Sequence, residues 1–444
     1  MKHPIRRILA AALVAISLPL SACSQAPAPS SSESGAAPQG DVTITVTFPN
    51  VAPPQSMIDK FTAETGVKVN WSNIDFDSLM TKIAASGAAN AYYSDVTYFN
   101  FTNIQQYGKL KWFVPLDDYI KDLSINTTEL GDLGSYTWDQ KILALPYDSA
   151  FGVTTVNNDM FTKAGITKMP TTLSEYTEDL KTLKAKGVVE NPLNIPFAAA
   201  EGLTAYWIQL TAAFGGASVL NEDGSPAFTT PDSPGYQAAK WMIDAVKDGL
   251  VSPGAINATD VQGMQTVMAQ GLAATTLYDY SGNLSAIYND SAQSAVVDQV
   301  SYLPVPGVSG RANSIIVADS LGIPSTAKQP EAAAKFIKWM VDANTQVEFS
   351  GGGAAENAWG PQGIPSNLTA IKQLNEAGKI PGGDVILDIL SNSTQPYLPY
   401  GAPEWYASFS GVVQTSLHGA AAGTMSLDDA IAAMAAAASE HAGA

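Results

Sequence analysis

Cysteine is almost missing from this 444-residue chain, with Cys23 as its single example. One thiol excludes a disulfide framework. Histidine is nearly as scarce, at His3, His418 and His441. There is no H-E-x-x-H pair for zinc, no G-x-S-x-G elbow and no glycine-rich loop ending in Lys-Ser/Thr that would cradle phosphate. No metal and no cofactor is therefore expected. Arginine occurs only at Arg6, Arg7 and Arg311. Because arginine is the preferred bidentate clamp for carboxylate and phosphate, a strongly anionic ligand is disfavoured. Against 23 basic side chains stand 41 acidic ones, a net charge of −18, which argues against nucleic acid as a partner.

Long apolar runs are also lacking, apart from Ile8 to Leu20 behind the basic start Lys2, Arg6 and Arg7. That layout is a secretory signal, and at ~1.5 Å per residue it reaches only ~20 Å, short of a ~30 Å hydrocarbon core. Leu20-Ser21-Ala22-Cys23 resembles the lipobox of bacterial lipoproteins. The resemblance implies cleavage before Cys23, lipid on its sulfur and a protein held at the extracellular face of the bacterial cell membrane. Ser24 to Gly40 contains only Ser, Gln, Ala, Pro, Glu and Gly, so it has nothing to bury and reads as a tether. The expected division is a signal at 1–22 and an anchor with tether at 23–40, with folded chain from 41.

Val42, Ile44, Val46 and Phe48 alternate with threonines, the pattern of a strand. A helix is expected over Gln55 to Thr65 with Gly66 as its stop, then a strand through Val69 and Trp71, a helix ending before Gly87, and a strand over Asp95 to Phe99. This order predicts an α/β lobe with a largely parallel sheet. Beyond the extended stretch Lys141 to Val156, helices at Leu173 to Lys186, Tyr206 to Phe214 and Gln237 to Lys247 alternate with short strands near Ile195 to Ala198 and Leu272 to Tyr278. A second α/β lobe follows. The last third is mainly helical and ends in an alanine-rich helix that starts at Ser426.

The sequence resembles family 1 extracellular solute-binding proteins, the carbohydrate-binding lipoproteins of ABC importers. The likeness is carried by "FTAETGVKV", "SDVTYFN", "FVPLDDYI" and above all "ALPYDSAFGVTTVNNDMFTKAGITKMPTT" (Ala144 to Thr172), and continues through "MQTVMAQGLAATTLYDYSG", "VSYLPVPGVSG" and "LGIPSTAKQPEAAAKFIKWM". Two departures stand out: Val156 replaces the usual tyrosine before Asn157, and Gly351 to Pro361 is expanded. The resemblance implies a two-lobed periplasmic-binding-protein-like clamp with a hinge, each lobe a mostly parallel sheet flanked by helices. It places crossings near Ser149 to Val153, Gly310 to Ser314 and Val341 to Asn344, which gives lobes of 41–149 with 310–341 and of 150–309 with 342–444. It further implies a monomer that captures a small carbohydrate, an oligosaccharide, by hinge closure and delivers it to permease subunits served by a separate ATPase.

Ligands of open α/β sheets bind beyond the carboxyl ends of strands. That rule selects Asn50 after the first strand, Phe99 and Asn100 after the third, and Asp279 and Tyr280 after "AATTLY", with Tyr147 and Asp148 on the crossing segment. Aromatic faces for sugar C–H surfaces add Trp207, Trp359 and Trp405, whereas Trp241 and Trp339 sit at helical spacing and read as core. Two other readings stay open: the same fold holding a cationic amine or other small solute in an aromatic and acidic cage, and a secreted glycoside hydrolase built on a carboxylate pair. No enzymatic activity is expected.

Overall fold

The computed structural model describes residues 42–49, 52–131, 133–350 and 364–442. Cys23, the signal and tether, Asn50, and Trp359 with the expanded Gly351 to Pro361 stretch all lie outside these residues.

Val42–Phe48 (β1) buries Ile44, Val46 and Phe48. Gln55–Thr65 (α1) turns Met57, Ile58 and Phe61 inward and stops at Gly66, where a φ of 71° suits glycine and the N–H closes on the Thr62 carbonyl. Val67–Asn73 (β2), Phe76–Ala89 (α2) and Val96–Phe99 (β3) complete the pattern, with β1 parallel to both neighbours. Helix α2 runs through the expected stop at Gly87. A Cβ there would stand 2.4 Å from the Trp112 ring, so this glycine admits a packed indole rather than ending the helix. Ile104–Lys109 (α3) follows, and Ala144–Pro146 (β4) returns to the sheet edge.

Gly152–Asn157 (β5) opens the second sheet. Leu173–Ala185 (α4) starts with a full capping box between Thr172 and Glu175. Glu201–Ala213 (α5), Pro234–Lys247 (α6), Thr275–Tyr280 (β6) and Val300–Leu303 (β7) come next. Strand β5 is central and antiparallel to both β6 and β7, a correction to the mostly parallel sheet expected in this half. Strands buried on both faces carry no mark of direction in their residues. Ile195 to Ala198 forms no strand; Leu193 just before it bridges to Val251 and Thr275. Helix α5 begins well ahead of the expected Tyr206 because Gly202 to Ala213 are all buried, which leaves no polar face to mark its start.

Ser314–Ile316 (β8), Ser320–Gly322 (β9), Pro330–Val341 (α7), Ala343–Ser350 (α8), Thr394–Pro396 (β10), Tyr406–Ala421 (α9) and Leu427–Ser439 (α10) finish the chain. Strand β9 inserts antiparallel between β3 and β4, giving the order β2-β1-β3-β9-β4. Strand β8 pairs in parallel with β10, and α9 and α10 close a large core with α5 and α6. A separate core lies under the first sheet and includes Phe336, Ile337 and Met340 of α7.

The chain leaves the core under the first sheet after Tyr147, against an expected Ser149 to Val153, and comes back to it past Val317 to Asp319. The second passage lies beyond the expected Gly310 to Ser314, because β8 still pairs with β10 and Ile315 still packs in the large core. The passes are stitched together: Val317 N–H donates to Ala150 O at 2.8 Å, Tyr147 N–H to Asp319 O at 3.1 Å and Asp319 N–H to Asp148 Oδ1 at 2.8 Å. The buried Gln346 amide of α8 donates to Tyr147 O and Met340 O, each at 3.0 Å, and so ties the third passage to the first.

Candidate ligand-binding cleft

A cleft of about 500 Å³ opens beyond the carboxyl end of β3, with one wall from each half of the chain. The first wall begins with an aromatic nest. Phe48 meets Tyr98 at 5.5 Å and Tyr147 at 5.0 Å, both edge-on, and Tyr98 meets the exposed Phe76 at 5.6 Å. Asn100 then caps the turn that leads into α3, its Oδ1 accepting from Thr102 N–H at 3.1 Å and Thr102 Oγ1 at 2.9 Å. This cap presents Phe101, Asn103 and Gln106 to the cleft.

The opposite wall is built on Glu201, the first residue of α5. Its Oε1 accepts from the Tyr406 hydroxyl and from Tyr397 at 3.2 Å; its Oε2 accepts from Ser410 at 2.6 Å and Gln414 at 3.1 Å. Burial pushes the Tyr397 and Tyr406 hydroxyls well above the usual tyrosine range, with neighbouring Tyr406 and Glu201 adding to the effect, so both act as donors. An adjoining chamber of about 530 Å³ shares Pro403 and Glu404 with the cleft. There Trp405 stacks on His441 at 5.3 Å and 17°. Between the two chambers Lys109 pairs with Glu404 at 3.1 Å, Gln105 donates to Tyr400 O at 3.3 Å, and Phe101 meets Tyr397 edge-on at 5.7 Å.

Of the residues singled out in the sequence, Asn100 lies on the cleft wall and Trp405 in the adjoining chamber. The others described lie elsewhere. Phe99 is fully buried against Tyr107 and Phe113, because β3 is covered on both faces. Trp207 is fully buried, donates Nε1–H to Gly235 O at 2.8 Å and meets Phe228 edge-on, so it presents no face to a ligand. Asp279 is a buried acceptor for Thr155, Asn283, Tyr288 and the Tyr280 N–H. Burial raises its pKa, and the Tyr288, Tyr280, Asn283 and Thr155 hydrogen bonds counter the rise. Tyr280 is half-buried and donates to Asp260 at 2.6 Å.

Tyr147 and Asp148 belong to the first passage between the cores. Tyr147 donates to Asp319 at 3.2 Å. Asp148 is 1% exposed, and its Oδ2 has no hydrogen-bond partner among the described residues. Burial, then the neighbouring Asp319 charge, drive its pKa well above the ordinary carboxylate value. A folded pKa above the unfolded ~3.9 means stability is lost as pH rises from about 4 through the folded value. Asp148→Asn keeps the acceptor for Asp319 N–H and removes the buried charge. It is expected to stabilise the protein at pH 7, with the gain vanishing near pH 4, in urea unfolding at both values. A gain of equal size at both would contradict this assignment.

Sequence reading missed Glu201, Tyr397, Tyr406, Gln414, Phe76 and Phe101. For Tyr397 and Tyr406 the sequence carries a signal, the Pro- and aromatic-rich run Pro396 to Tyr406; Glu201, Gln414, Phe76 and Phe101 have none of that kind.

Residues 46–347 match the family described as bacterial extracellular solute-binding protein. A binding protein of Brucella abortus strain 2308 is 25% identical over 361 residues, which cover 78% of this chain and 84% of that one. The maltose-bound MalE3 of T. maritima superposes with a TM-score of 0.71 at 20% identity, over 90% of this chain and 99% of its own. An ABC transporter solute-binding protein from Agrobacterium radiobacter K84, in complex with ribitol, gives 0.73 at 22% identity, over 90% and 98%. The structure thus shares the two-domain α/β fold of these solute-binding proteins. The chain belongs to the bacterial extracellular solute-binding protein family.

Proposed function

We propose that this protein is the lipid-anchored, extracellular capture component of an ABC importer for a small carbohydrate, with an oligosaccharide as its ligand. The observation that carries this reading is the cleft between the two walls. Phe76 and Phe101 supply apolar ring surface, Asn100, Asn103, Gln106 and Gln414 supply neutral polar groups, and no lysine or arginine lines it among the described residues. Flat apolar faces with fixed hydrogen-bonding groups suit a sugar, which has C–H faces and a hydroxyl rim. The adjoining chamber with Trp405 gives length for more than one unit. Maltose and ribitol in the two structural neighbours are both polyhydroxylated.

In this reading the lobes are 42–149 with 317–341 and 150–316 with 342–442, and the stitched passages between them form the hinge. Closure captures the ligand because the closed arrangement makes contacts that the open one lacks. The closed monomer then docks on the permease, whose separate ATPase drives release. Lipid on Cys23 rests on the leading sequence: Cys23→Ser is expected to move the protein from the membrane fraction to the soluble fraction, and retention of Cys23→Ser in the membrane would remove the anchor from the proposal.

A thermal-shift screen of the full-length chain against mono- and oligosaccharides, polyols and amino acids tests the ligand class. Carbohydrate at about 100 times its dissociation constant adds about 2.7 kcal/mol to the folded state, a shift of a degree or more. Shifts with amino acids alone would overturn the proposal.

A further inference from the structure

We propose, building on the carbohydrate reading, that the ligand is an amino sugar oligomer whose free, positively charged amines face the acidic lining of the two chambers. Acidic side chains outnumber basic ones in the lining. Glu201 and Glu404 face the cleft, and Glu222, Asp223 and Glu404 face the adjoining chamber. Lys109 is the one lysine or arginine among the described residues lining either space, and it is paired with Glu404. The other three carboxylates have no basic partner in the lining.

Acidic side chains are also common acceptors for neutral hydroxyls, so the state of Glu201 decides between the two. Two oxygens offer about four lone-pair positions. Tyr406 donates to Oε1, Tyr397 approaches it at 3.2 Å while its single proton also faces the Tyr406 oxygen at 2.8 Å, and Ser410 and Gln414 donate to Oε2. A sugar hydroxyl that bonds Glu201 competes with these donors, so its net gain is small. A cation needs no vacant lone pair to gain, because the charge itself acts across several ångströms in a partly desolvated cleft. Glu201 is therefore suited to select for charge rather than for a hydroxyl.

The second chamber repeats the arrangement around an aromatic face. A Cβ on Gly224 would stand 3.0 Å from the Trp405 ring, so the loop that carries Glu222 and Asp223 packs directly beside that indole. Asp223 is fixed there by accepting from Ser225 N–H at 2.9 Å. His441 covers one face of this ring, so sugar C–H surface would rest on the rest of the indole with an ammonium toward the loop.

Matched pairs test this on the purified full-length chain in detergent by titration calorimetry: glucosamine against glucose, and the β-1,4 glucosamine trimer against cellotriose and the N-acetylglucosamine trimer. The amine trimer is expected to bind at least tenfold more tightly than either neutral trimer at about 20 mM salt, with the preference shrinking several-fold at about 500 mM. Glu201→Gln should reduce that preference to threefold or less. Because this change also perturbs buried tyrosines, the exposed double variant Glu222→Gln with Asp223→Asn is the second test, and it should lower the preference without altering the melting point. Equal or tighter binding of a neutral trimer, or an amine preference that survives both variants, overturns the inference. Binding of some other neutral carbohydrate with no response to any amine also overturns it, yet leaves the carbohydrate reading standing. Failure of every carbohydrate removes both.

Discussion

Trp207→Ala is expected to cost about 3–5 kcal/mol of stability while leaving carbohydrate affinity of the folded fraction within about twofold. The indole is fully buried in the core of the second half, where it meets Phe228 at 5.0 Å and 84°. Its Nε1–H is held by Gly235 O, and Gly235 itself must lack a side chain, since a Cβ there would stand 2.6 Å from Phe228. Truncation removes a large apolar surface, leaves a cavity between α5 and α6 and strips a carbonyl of its donor. None of these groups lines the cleft or its neighbouring chamber. Urea unfolding with calorimetry on the folded protein separates the two effects. A variant of ordinary stability that no longer binds sugar would return Trp207 to the site.

The first sheet was legible because its strands obey simple rules. β1 alternates apolar and threonine residues, α1 repeats Met57, Ile58 and Phe61 at helical spacing, and Gly66 stands where a left-handed residue is needed. The α/β class followed from that alternation. The site was much less legible, for a physical reason visible at α5. A helix buried on every side from Gly202 onward shows no polar face, so its start was placed too late and Glu201 was never brought to the head of a helix. Trp207, in the same helix, was conspicuous by type yet is core. The direction of β5 relative to β6 and β7 was hidden for a related reason: all six residues of β5 are buried, and burial on both faces erases the period-two signal.

The same limit separates the two ends of β6. The carboxyl-end rule brought attention to Asp279 and Tyr280, but it locates a strand end and says nothing of which way a side chain turns. Asn100 at the end of β3 turns along the cleft wall, whereas Asp279 turns inward and collects donors from β5, from its own following residue and from the segment Asn283 to Tyr288. A buried aspartate is tolerated only when paired or hydrogen-bonded, so its partners in the structure reveal a role that its position in the sequence could not.

Asp279→Ala is accordingly expected to destabilise the protein by about 3–5 kcal/mol, and Asp279→Asn by less than half as much. Oδ1 serves two groups that can only donate, the Tyr280 N–H at 2.8 Å and the Asn283 amide. Oδ2 serves two hydroxyls, Thr155 at 3.0 Å and Tyr288 at 2.7 Å. Alanine abandons all four donors in the interior. Asparagine keeps an acceptor where Oδ1 stood and places its amide toward Thr155 and Tyr288, whose hydroxyls can rotate to accept. The ordering of the two variants is thus fixed by which partners can reverse their role, and urea unfolding of both reads it directly. If Asp279→Asn proved as damaging as Asp279→Ala, the negative charge itself rather than the pattern of acceptors would be holding this segment in place.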